Sequence, residues 1–208
     1  MRLYYKPGAC SLSSRIVLTE LGVAHDSVKV DTDTGRTEAG SDYRAINPKG
    51  YVPALELENG EVLTENPAIL QFLADSNPKA NLAPTPGTLD RVRLQEWLNF
   101  TSSELHKAFS PFFSGRKLDE EEQKRSHATL ERRIGDVDRR LSDGRKFALG
   151  DQFSVADAYL FVVLNWCNFI NVDLKRWPHV AGFVARVAGR PAVRKAMASE
   201  GLIEEATA

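Results

Sequence analysis

The pattern of hydrophobic residues changes once along the chain, and this change constrains the fold more than any other feature of the sequence. Before residue 78, short strand-like and helix-like segments alternate, whereas after residue 88 almost every segment has the three- and four-residue spacing of an amphipathic helix. Residues 78–88 contain three prolines and a glycine, which favour turns and stiff extended backbone. We therefore predict an α/β domain over residues 1–77, a linker over 78–88 and an all-helical domain over 89–208.

The first domain is predicted to begin with a strand–helix–strand unit. Residues 3–5 and 27–30 are short apolar strand patterns, and residues 11–21 between them have helical spacing. Two strands joined by a helix pair in parallel, because a tight hairpin cannot connect them. This arrangement predicts a parallel pair at the start of the sheet.

The rest of the first domain is predicted to be a hairpin and a helix. Two strand patterns, residues 54–57 and 61–63, flank Asn59-Gly60, a dipeptide that favours a tight antiparallel turn. In the helix that follows, Asn66 is expected to cap the N-terminus and Pro67 to occupy the first turn, where no amide donor is needed.

The second domain is predicted to be a set of amphipathic helices. The first is long, and its apolar stripe runs through Leu94, Trp97, Leu98, Thr101, Leu105, Phe109 and Phe112. Charges of both signs nearly balance over residues 116–145, which is typical of a solvated helix rather than an anion-binding patch. Ser154 and Asp157 have the spacing of a capping box before another apolar helix.

Cys10 is the strongest candidate for a reactive side chain. It follows Pro7-Gly8 and directly precedes the first predicted helix. Unpaired N–H groups and the positive end of the helix dipole favour a thiolate at such a position, and the thiolate is the nucleophilic form. The alternative is a small cysteine buried in the core.

A second candidate feature is formed by Val52-Pro53 and Glu65-Asn66. Proline at the start of a strand leaves the Val52 backbone able to pair with an extended peptide-like ligand. Glu65 could bind an ammonium group while the N-terminus of the following helix binds a carboxylate. This pair suits a zwitterionic amino-acid group, although Glu65 could instead merely complement the helix dipole.

Composition excludes several classes of partner. Lysine plus arginine number 27 and aspartate plus glutamate 28, so a net charge of −1 supplies no strong field for nucleic acid or an anionic membrane. No apolar run approaches the roughly 18 residues of a membrane span, and no secretion signal is recognisable. The two cysteines, Cys10 and Cys167, lie far apart, which fits a reducing compartment. We expect a cytoplasmic protein with no nucleic-acid, membrane or metal partner.

Six segments form an ordered set that covers essentially the whole chain. They are LYYKPGACSL at residues 3–12, NPKGYVPAL at 47–55, LTE at 63–65, EWLNF with ELHK within 96–107, FSVADAYL at 153–160 and EGL at 200–202. Together they resemble the bacterial beta-class glutathione S-transferases. The resemblance implies a thioredoxin-like N-terminal domain, an all-α C-terminal domain, a homodimer, and glutathione bound between the domains.

The resemblance also implies roles for individual residues. Cys10 matches a cysteine that lies beside the glutathione sulfur and forms a mixed disulfide with it, and His106 matches a histidine that approaches the same sulfur. His106 could donate a hydrogen bond or transfer a proton near neutral pH, although a lone histidine is more often an ordinary surface or packed residue. The implied glutathione-binding residues are Val52, Pro53, Glu65, Asn66, Asn99, Ser103 and Lys107.

Two positions carry further information. The family has a lysine near position 35 for the glycyl carboxylate of glutathione, whereas this chain has Gly35, so we expect Arg36 to replace it, with Lys107 as the alternative. Ser13 stands where the second thiol of a Cys-x-x-Cys pair would be, so a redox cycle would need an external thiol.

Asn99, Ser103 and His106 follow helical spacing, which predicts that they share one face. Nearby aromatic residues, Phe109, Phe112, Phe113 and Trp166, are expected either to form the wall of a hydrophobic electrophile site or simply to pack in the core.

Three functions remain compatible with these residues. The leading hypothesis is a glutathione transferase that conjugates the thiol to small hydrophobic electrophiles and also exchanges disulfides through Cys10. The first alternative is an enzyme whose main activity is monothiol disulfide reduction or dehalogenation. The second is a non-catalytic glutathione-binding module on the same fold.

Overall fold

The protein, described here by a computed structural model over residues 1–204, consists of two compact units. The first unit contains Met1–Ala83 together with the chain from Ala188 onwards, and the second contains Pro84–Val187. The division after Ala83 lies inside the predicted linker. The C-terminal segment, which we placed in the helical domain, packs instead with the first unit, and residues 205–208 lie outside the described residues.

A five-stranded mixed sheet forms the centre of the first unit. The strands are β1 (Arg2–Tyr5), β2 (Asp26–Asp31), β3 (Arg36–Thr37), β4 (Ala54–Glu56) and β5 (Val62–Thr64), in the spatial order β3-β2-β1-β4-β5. The predicted parallel pair is β1 with β2, and the predicted hairpin is β4 with β5. β1 also pairs antiparallel with β4, so the central strand joins both predicted units into one sheet.

Three helices complete the first unit: α1 (Ser11–Glu20), α2 (Asn66–Asp75) and α8 (Pro191–Ser199). α1 packs on both α2 and α8. Its apolar residues, Leu12, Ile16, Val17 and Leu18, are fully buried. This burial fixes the helix that begins immediately after Cys10.

Two ion pairs explain why the C-terminal segment belongs to the first unit. Arg15 Nε donates to Glu200 at 2.9 Å, and the Glu200 side chain has no exposed surface. The guanidinium of Arg190 donates two hydrogen bonds to Glu20, at 2.7 and 3.0 Å. Such paired, hydrogen-bonded charges tolerate burial that single charges do not, so α1 and the C-terminal segment are held in one geometry.

The second unit is helical, as predicted. It contains α3 (Leu89–Phe100), α4 (His106–Phe113), α5 (Glu120–Leu141), α6 (Val155–Asn165) and α7 (Pro178–Ala188), with a π-helical turn at Thr101–Leu105 between α3 and α4. The predicted apolar stripe is buried from Leu94 to Phe109, while Phe112 is only partly buried. The balanced charged segment forms α5, whose buried face is Leu130, Ile134, Val137 and Leu141.

The start of α6 depends on a buried carboxylate. Asp157 accepts a hydrogen bond from the Ser154 backbone N–H at 2.8 Å, as the predicted capping box requires, and another from the Ser154 hydroxyl at 2.8 Å. It also accepts a bond from the Ala148 backbone N–H at 2.6 Å, so it ties the preceding loop to the helix. Burial raises the pKa of Asp157 to about 6.

Neither a membrane-spanning helix nor a group of potential metal ligands occurs in residues 1–204. None of the helices there has both the length and the apolar character needed to cross a bilayer. In the same residues, no three histidine, cysteine or acidic side chains are grouped closely enough to hold a metal ion.

Replacing Asp157 with Ala should destabilise the protein, because two buried backbone N–H groups lose their acceptor. At about 1–3 kcal/mol for each unpaired donor, we expect the free energy of unfolding to fall by about 2–6 kcal/mol in urea titrations followed by circular dichroism. Asp151→Ala, at an exposed position in the same loop, is the matched control and should change it by less than about 0.5 kcal/mol. Equal effects of the two substitutions would contradict this account.

Candidate active site

Cys10 lies at the junction between the first strand and α1, as the sequence indicates. It occupies the N-cap position, and its thiol donates a hydrogen bond to the Val52 carbonyl, with an Sγ–O distance of 3.3 Å. The side chain is partly exposed and is not joined in a disulfide. Cys167 is buried, and burial raises the pKa of its thiol to about 12. Only Cys10 therefore combines access to solvent with the N-terminus of a helix.

The loop before Cys10 is held at both of its ends. The Lys6 backbone N–H donates to the Ser11 hydroxyl at 3.2 Å, which closes the loop across its base. The Gly8 backbone N–H donates to the buried carboxylate of Glu200 at 2.9 Å, and Gly8 has a φ of 72°, which glycine adopts without strain. Glu200 thus connects the C-terminal segment to the loop that presents the thiol.

The segment of residues 51–53, which we call the Val52 edge, is also fixed by specific contacts. The Val52-Pro53 peptide bond is cis, and both residues are buried. The carbonyl of the preceding residue, Tyr51, accepts hydrogen bonds from the Tyr43 hydroxyl and the Asn47 side-chain amide, both at 2.7 Å. Because Tyr43 is fully buried, this pair of donors holds the approach to Val52 in one position.

Glu65 is placed at the N-terminus of α2, as predicted. It is exposed, has a φ of 68°, and pairs with Lys49 through an Nζ–Oε1 distance of 2.6 Å. A non-glycine residue with this φ is uncommon, and such positions cluster at binding sites.

The predicted capping role of Asn66 is wrong. Glu65 is the N-cap and Asn66 is the first residue of α2. The buried Asn66 side chain instead donates to the Ser13 hydroxyl at 2.7 Å and accepts from the Ser14 hydroxyl at 2.8 Å. These bonds join α2 to the first turn of α1, because a buried amide must satisfy both of its polar ends.

Arg36 lies on the short edge strand β3 and is exposed. Its guanidinium donates to the Gly40 carbonyl at 3.1 Å, so one of its donors is used within its own turn.

His106 is the first residue of α4, and it is neutral at physiological pH. Its Nδ1 lies 2.8 Å from the Tyr159 hydroxyl, and its ring packs edge-on against Trp166 with a centroid distance of 4.7 Å. Burial, with a smaller contribution from the Lys107 charge, lowers the pKa of His106 to about 4. A lowered pKa makes His106 a weaker base near pH 7, so of its two predicted roles this environment favours hydrogen-bond donation.

The other predicted residues of this unit lie in or beside a π-helical turn, and their sharing of one face with His106 stays a prediction. The π-helical turn at residues 101–105 interrupts the regular spacing on which that prediction depended. Asn99 and Ser103 are exposed, whereas His106 is partly buried. The Ser103 hydroxyl donates to the Asn99 carbonyl at 2.8 Å. Lys107 is exposed beside His106 and borders a surface groove between α4 and α5.

Three of the four predicted aromatic residues form a cluster with His106. Phe109 and Phe113 each lie edge-on to Trp166, at centroid distances of 5.5 and 5.6 Å. Phe113 is 49% exposed, so the cluster reaches the surface. Phe112 differs, because its ring packs on His127 of α5.

Tyr159 is the residue of this region that sequence reasoning missed. It lies in the apolar helix α6 and is almost completely buried, so its hydroxyl needs a partner inside the protein. A tyrosine within a run of aliphatic residues was the available signal, but nothing local indicated that the partner is His106.

Comparison with known proteins identifies related chains. Residues 8–76 match the family model "Glutathione S-transferase, N-terminal domain", and residues 100–191 match "Glutathione S-transferase, C-terminal domain". The chain is 45% identical over 202 residues to glutathione S-transferase GstA of Escherichia coli O157:H7, a match that covers 97% of this chain and 100% of that protein.

Two solved structures are also similar over almost their whole length. The bacterial beta-class glutathione S-transferase of Sphingomonas chungbukensis is 45% identical, with a TM-score of 0.93 and coverage of 98% of this chain and 100% of that one. A sphingomonad glutathione S-transferase in complex with glutathione is 44% identical, with a TM-score of 0.92 and the same coverage.

The neutral state of His106 can be tested by titrating the imidazole nitrogens by NMR. Among the four histidines, we expect one ring to stay neutral down to about pH 5 and to titrate near 4, and His106→Gln should remove that signal. Since the unfolded ring takes up a proton near its ordinary value of 6.5, His106 should lower the stability as pH falls from 6.5 towards 4. Four rings that all titrate near 6.5 would show that His106 is solvated.

Proposed function

This chain belongs to the bacterial beta class of the glutathione S-transferase family, and on that premise we propose that it conjugates glutathione to small hydrophobic electrophiles and exchanges disulfides with glutathione through Cys10. The transferase activity follows from the family. The electrophile class and the part played by Cys10 are the proposal, and they rest on the geometry described above.

The observation that carries the proposal is the 3.3 Å hydrogen bond from the Cys10 thiol to the Val52 carbonyl. An extended peptide pairs with a strand edge through backbone groups, so the cysteinyl unit of glutathione would pair at Val52. A sulfur carried by that unit would then lie close to Cys10 Sγ. The partly exposed thiol at a helix N-terminus is suited both to contact that sulfur and to attack it.

The γ-glutamyl end of glutathione is assigned to Glu65 and the start of α2. Its ammonium would pair with the Glu65 carboxylate, in competition with Lys49, and its carboxylate would accept from the Asn66 backbone N–H at the positive end of α2. The Asn66 side chain is committed to Ser13 and Ser14, so only its backbone is available to the ligand.

His106 is proposed to stabilise the glutathione thiolate as a neutral donor. If the Tyr159 hydroxyl donates to Nδ1, the single proton of the neutral ring lies on Nε2 and can be donated to the sulfur. In conjugation, the thiolate attacks the electrophilic carbon, a carbon–sulfur bond forms, and the leaving group departs with the electron pair of the broken bond. The aromatic cluster of Phe109, Phe113 and Trp166 would bind the hydrophobic part of the electrophile.

The disulfide exchange is proposed to proceed in two displacements. The Cys10 thiolate attacks the glutathione sulfur of a mixed disulfide, which forms a Cys10–glutathione disulfide and releases the other thiolate. A second glutathione thiolate then attacks this bond, which releases Cys10 and forms oxidised glutathione. The external thiol is necessary because Ser13 carries a hydroxyl, which donates to the Cys10 carbonyl at 2.7 Å. The partly exposed Cys10 thiol at the N-terminus of α1 is the observation that favours disulfide reduction as the second candidate function.

We also propose that the protein acts as a homodimer in the cytoplasm. Leu89 and Val92 lie three residues apart on α3 and are 67% and 48% exposed, which indicates a surface that a second subunit could cover. Asn99, exposed on the same helix, and Ser103, exposed on the π-helical turn that follows it, would then help bind the γ-glutamyl end of the partner's glutathione.

Incubation with oxidised glutathione should attach one glutathione to Cys10 and none to Cys167, because the second thiol is buried and protonated. Mass spectrometry of the digested protein measures this directly, and Cys167→Ala should retain the adduct. Cys10→Ala should lose thiol transfer but keep much of the conjugation of a generic aryl halide, since glutathione supplies the nucleophile in that reaction. An adduct found only on Cys167 would overturn the assignment, and activity in neither assay would favour the binding module.

Light scattering at assay concentration should give about twice the chain mass of 23.1 kDa, as expected for a twofold dimer. Val92→Asp should shift the mass towards that of one chain, because a charge at an apolar interface loses its solvation. Asp90→Ala, at an exposed position on the same helix, is the control and should leave the dimer intact. A fully active monomer would contradict the proposed sharing of Ser103 between subunits.

A further inference from the structure

We infer that Arg44, rather than Arg36, binds the glycyl carboxylate of glutathione, an inference that rests on the proposed function. Glutathione carries two carboxylates and one ammonium group at neutral pH. The proposal above assigns the ammonium to Glu65 and one carboxylate to the start of α2. The remaining carboxylate, at the glycyl end, needs a cation near the Val52 edge.

The Arg44 guanidinium lies over Gly35, in the space that a side chain at position 35 would occupy. A Cβ built on Gly35 would be 2.8 Å from Arg44 Nη1 and 3.1 Å from Cζ. Gly35 is buried although it lies in a turn between two strands at the edge of the sheet. The absence of a side chain at position 35 therefore makes room for the guanidinium, and Arg44 supplies a positive charge where Gly35 has none.

The same guanidinium is close to the strand edge that would pair with glutathione. Arg44 Nε is 3.7 Å from the Cβ position of Gly50, two residues before Val52. Successive residues of an extended peptide are about 3.3 Å apart. A tripeptide whose cysteinyl unit pairs at Val52 therefore places its final carboxylate within reach of an arginine side chain at this point.

The backbone that carries Arg44 is firmly held. The Arg44 backbone N–H donates to the Asp42 side chain at 3.0 Å, and the Tyr43 backbone N–H donates to the Gly35 carbonyl at 2.9 Å. The buried Tyr43 also donates its hydroxyl to the Tyr51 carbonyl. Tyr43 thus fixes the backbone next to Arg44 relative to both the Gly35 turn and the Val52 edge. Less conformational entropy is then lost when Arg44 binds a carboxylate.

Nearby cations already contact other groups, whereas the Arg44 guanidinium has no hydrogen-bond acceptor within residues 1–204. Lys49 pairs with Glu65, Lys6 donates to Thr32 and pairs with Asp33, and Arg36 donates to the Gly40 carbonyl. Across residues 1–204, no acidic side chain pairs with the exposed Arg44 guanidinium. Its planar set of donors suits a carboxylate, which it can bind through two parallel hydrogen bonds.

The test compares glutathione with its glycyl monoethyl ester, which keeps the thiol and the γ-glutamyl end but has no charge at the glycyl end. Calorimetric titration of the wild-type protein should show the ester binding about 10- to 100-fold more weakly than glutathione. Arg44→Ala should lose the same factor for glutathione and bind both ligands alike. Arg44→Lys should recover part of the difference, and Arg194→Ala, an exposed arginine on α8, is the matched control and should behave as wild type.

The inference is overturned if Arg44→Ala binds glutathione as tightly as wild type, if it weakens acid and ester equally, or if Arg36→Ala alone abolishes the difference between the two ligands. Those results would leave the proposed function standing, because wild type would still bind glutathione. A wild-type protein that binds neither ligand would overturn the proposed function and this inference together.

Discussion

The hydrogen bond between the Cys10 thiol and the Val52 carbonyl joins the two parts of the first unit on which the active site depends. One part is the start of α1, held through Gly8 by the buried Glu200 carboxylate. The other is the Val52 edge, held by two donors on the Tyr51 carbonyl. Because both parts are held in place, little entropy is lost in ordering the thiol when a ligand binds. The Cys10 thiol would then be positioned to react with the sulfur of a ligand whose backbone pairs with Val52.

In the proposed complex, the charges around this edge would complement a zwitterionic tripeptide. Glu65 and the start of α2 would offer opposite charges to the γ-glutamyl group, and Arg44 would offer a cation to the glycyl carboxylate. His106 belongs to the second unit, where it contacts Trp166 and Tyr159, and burial lowers the pKa of its ring. A neutral donor stabilises a thiolate without adding a charge that would itself have to be buried, whereas a cationic ring would lose much of its solvation.

The sequence predicted those features that local chemistry determines. The hairpin at Asn59-Gly60, the first turn at Pro67 and the capping box at Ser154 follow from neighbouring residues alone, and the position of Cys10 follows from the strand, breaker and helix around it. Other features depend on partners distant in sequence. Glu200, near the other end of the chain, contacts Arg15 and Gly8. The Asn66 side chain forms hydrogen bonds with Ser13 and Ser14 instead of capping α2. Burial in the folded chain lowers the pKa of His106. The Gly35–Arg44 replacement could not be predicted either, because only the fold brings a side chain from position 44 over position 35.

A crystal structure of the reduced protein with glutathione bound would show directly where the ligand's sulfur lies. We expect the cysteinyl backbone to pair with Val52, the glutathione sulfur to contact Cys10 Sγ, and the glycyl carboxylate to bind the Arg44 guanidinium. Glutathione bound with its sulfur directed away from Cys10, or with its cysteinyl unit unpaired at Val52, would contradict the account.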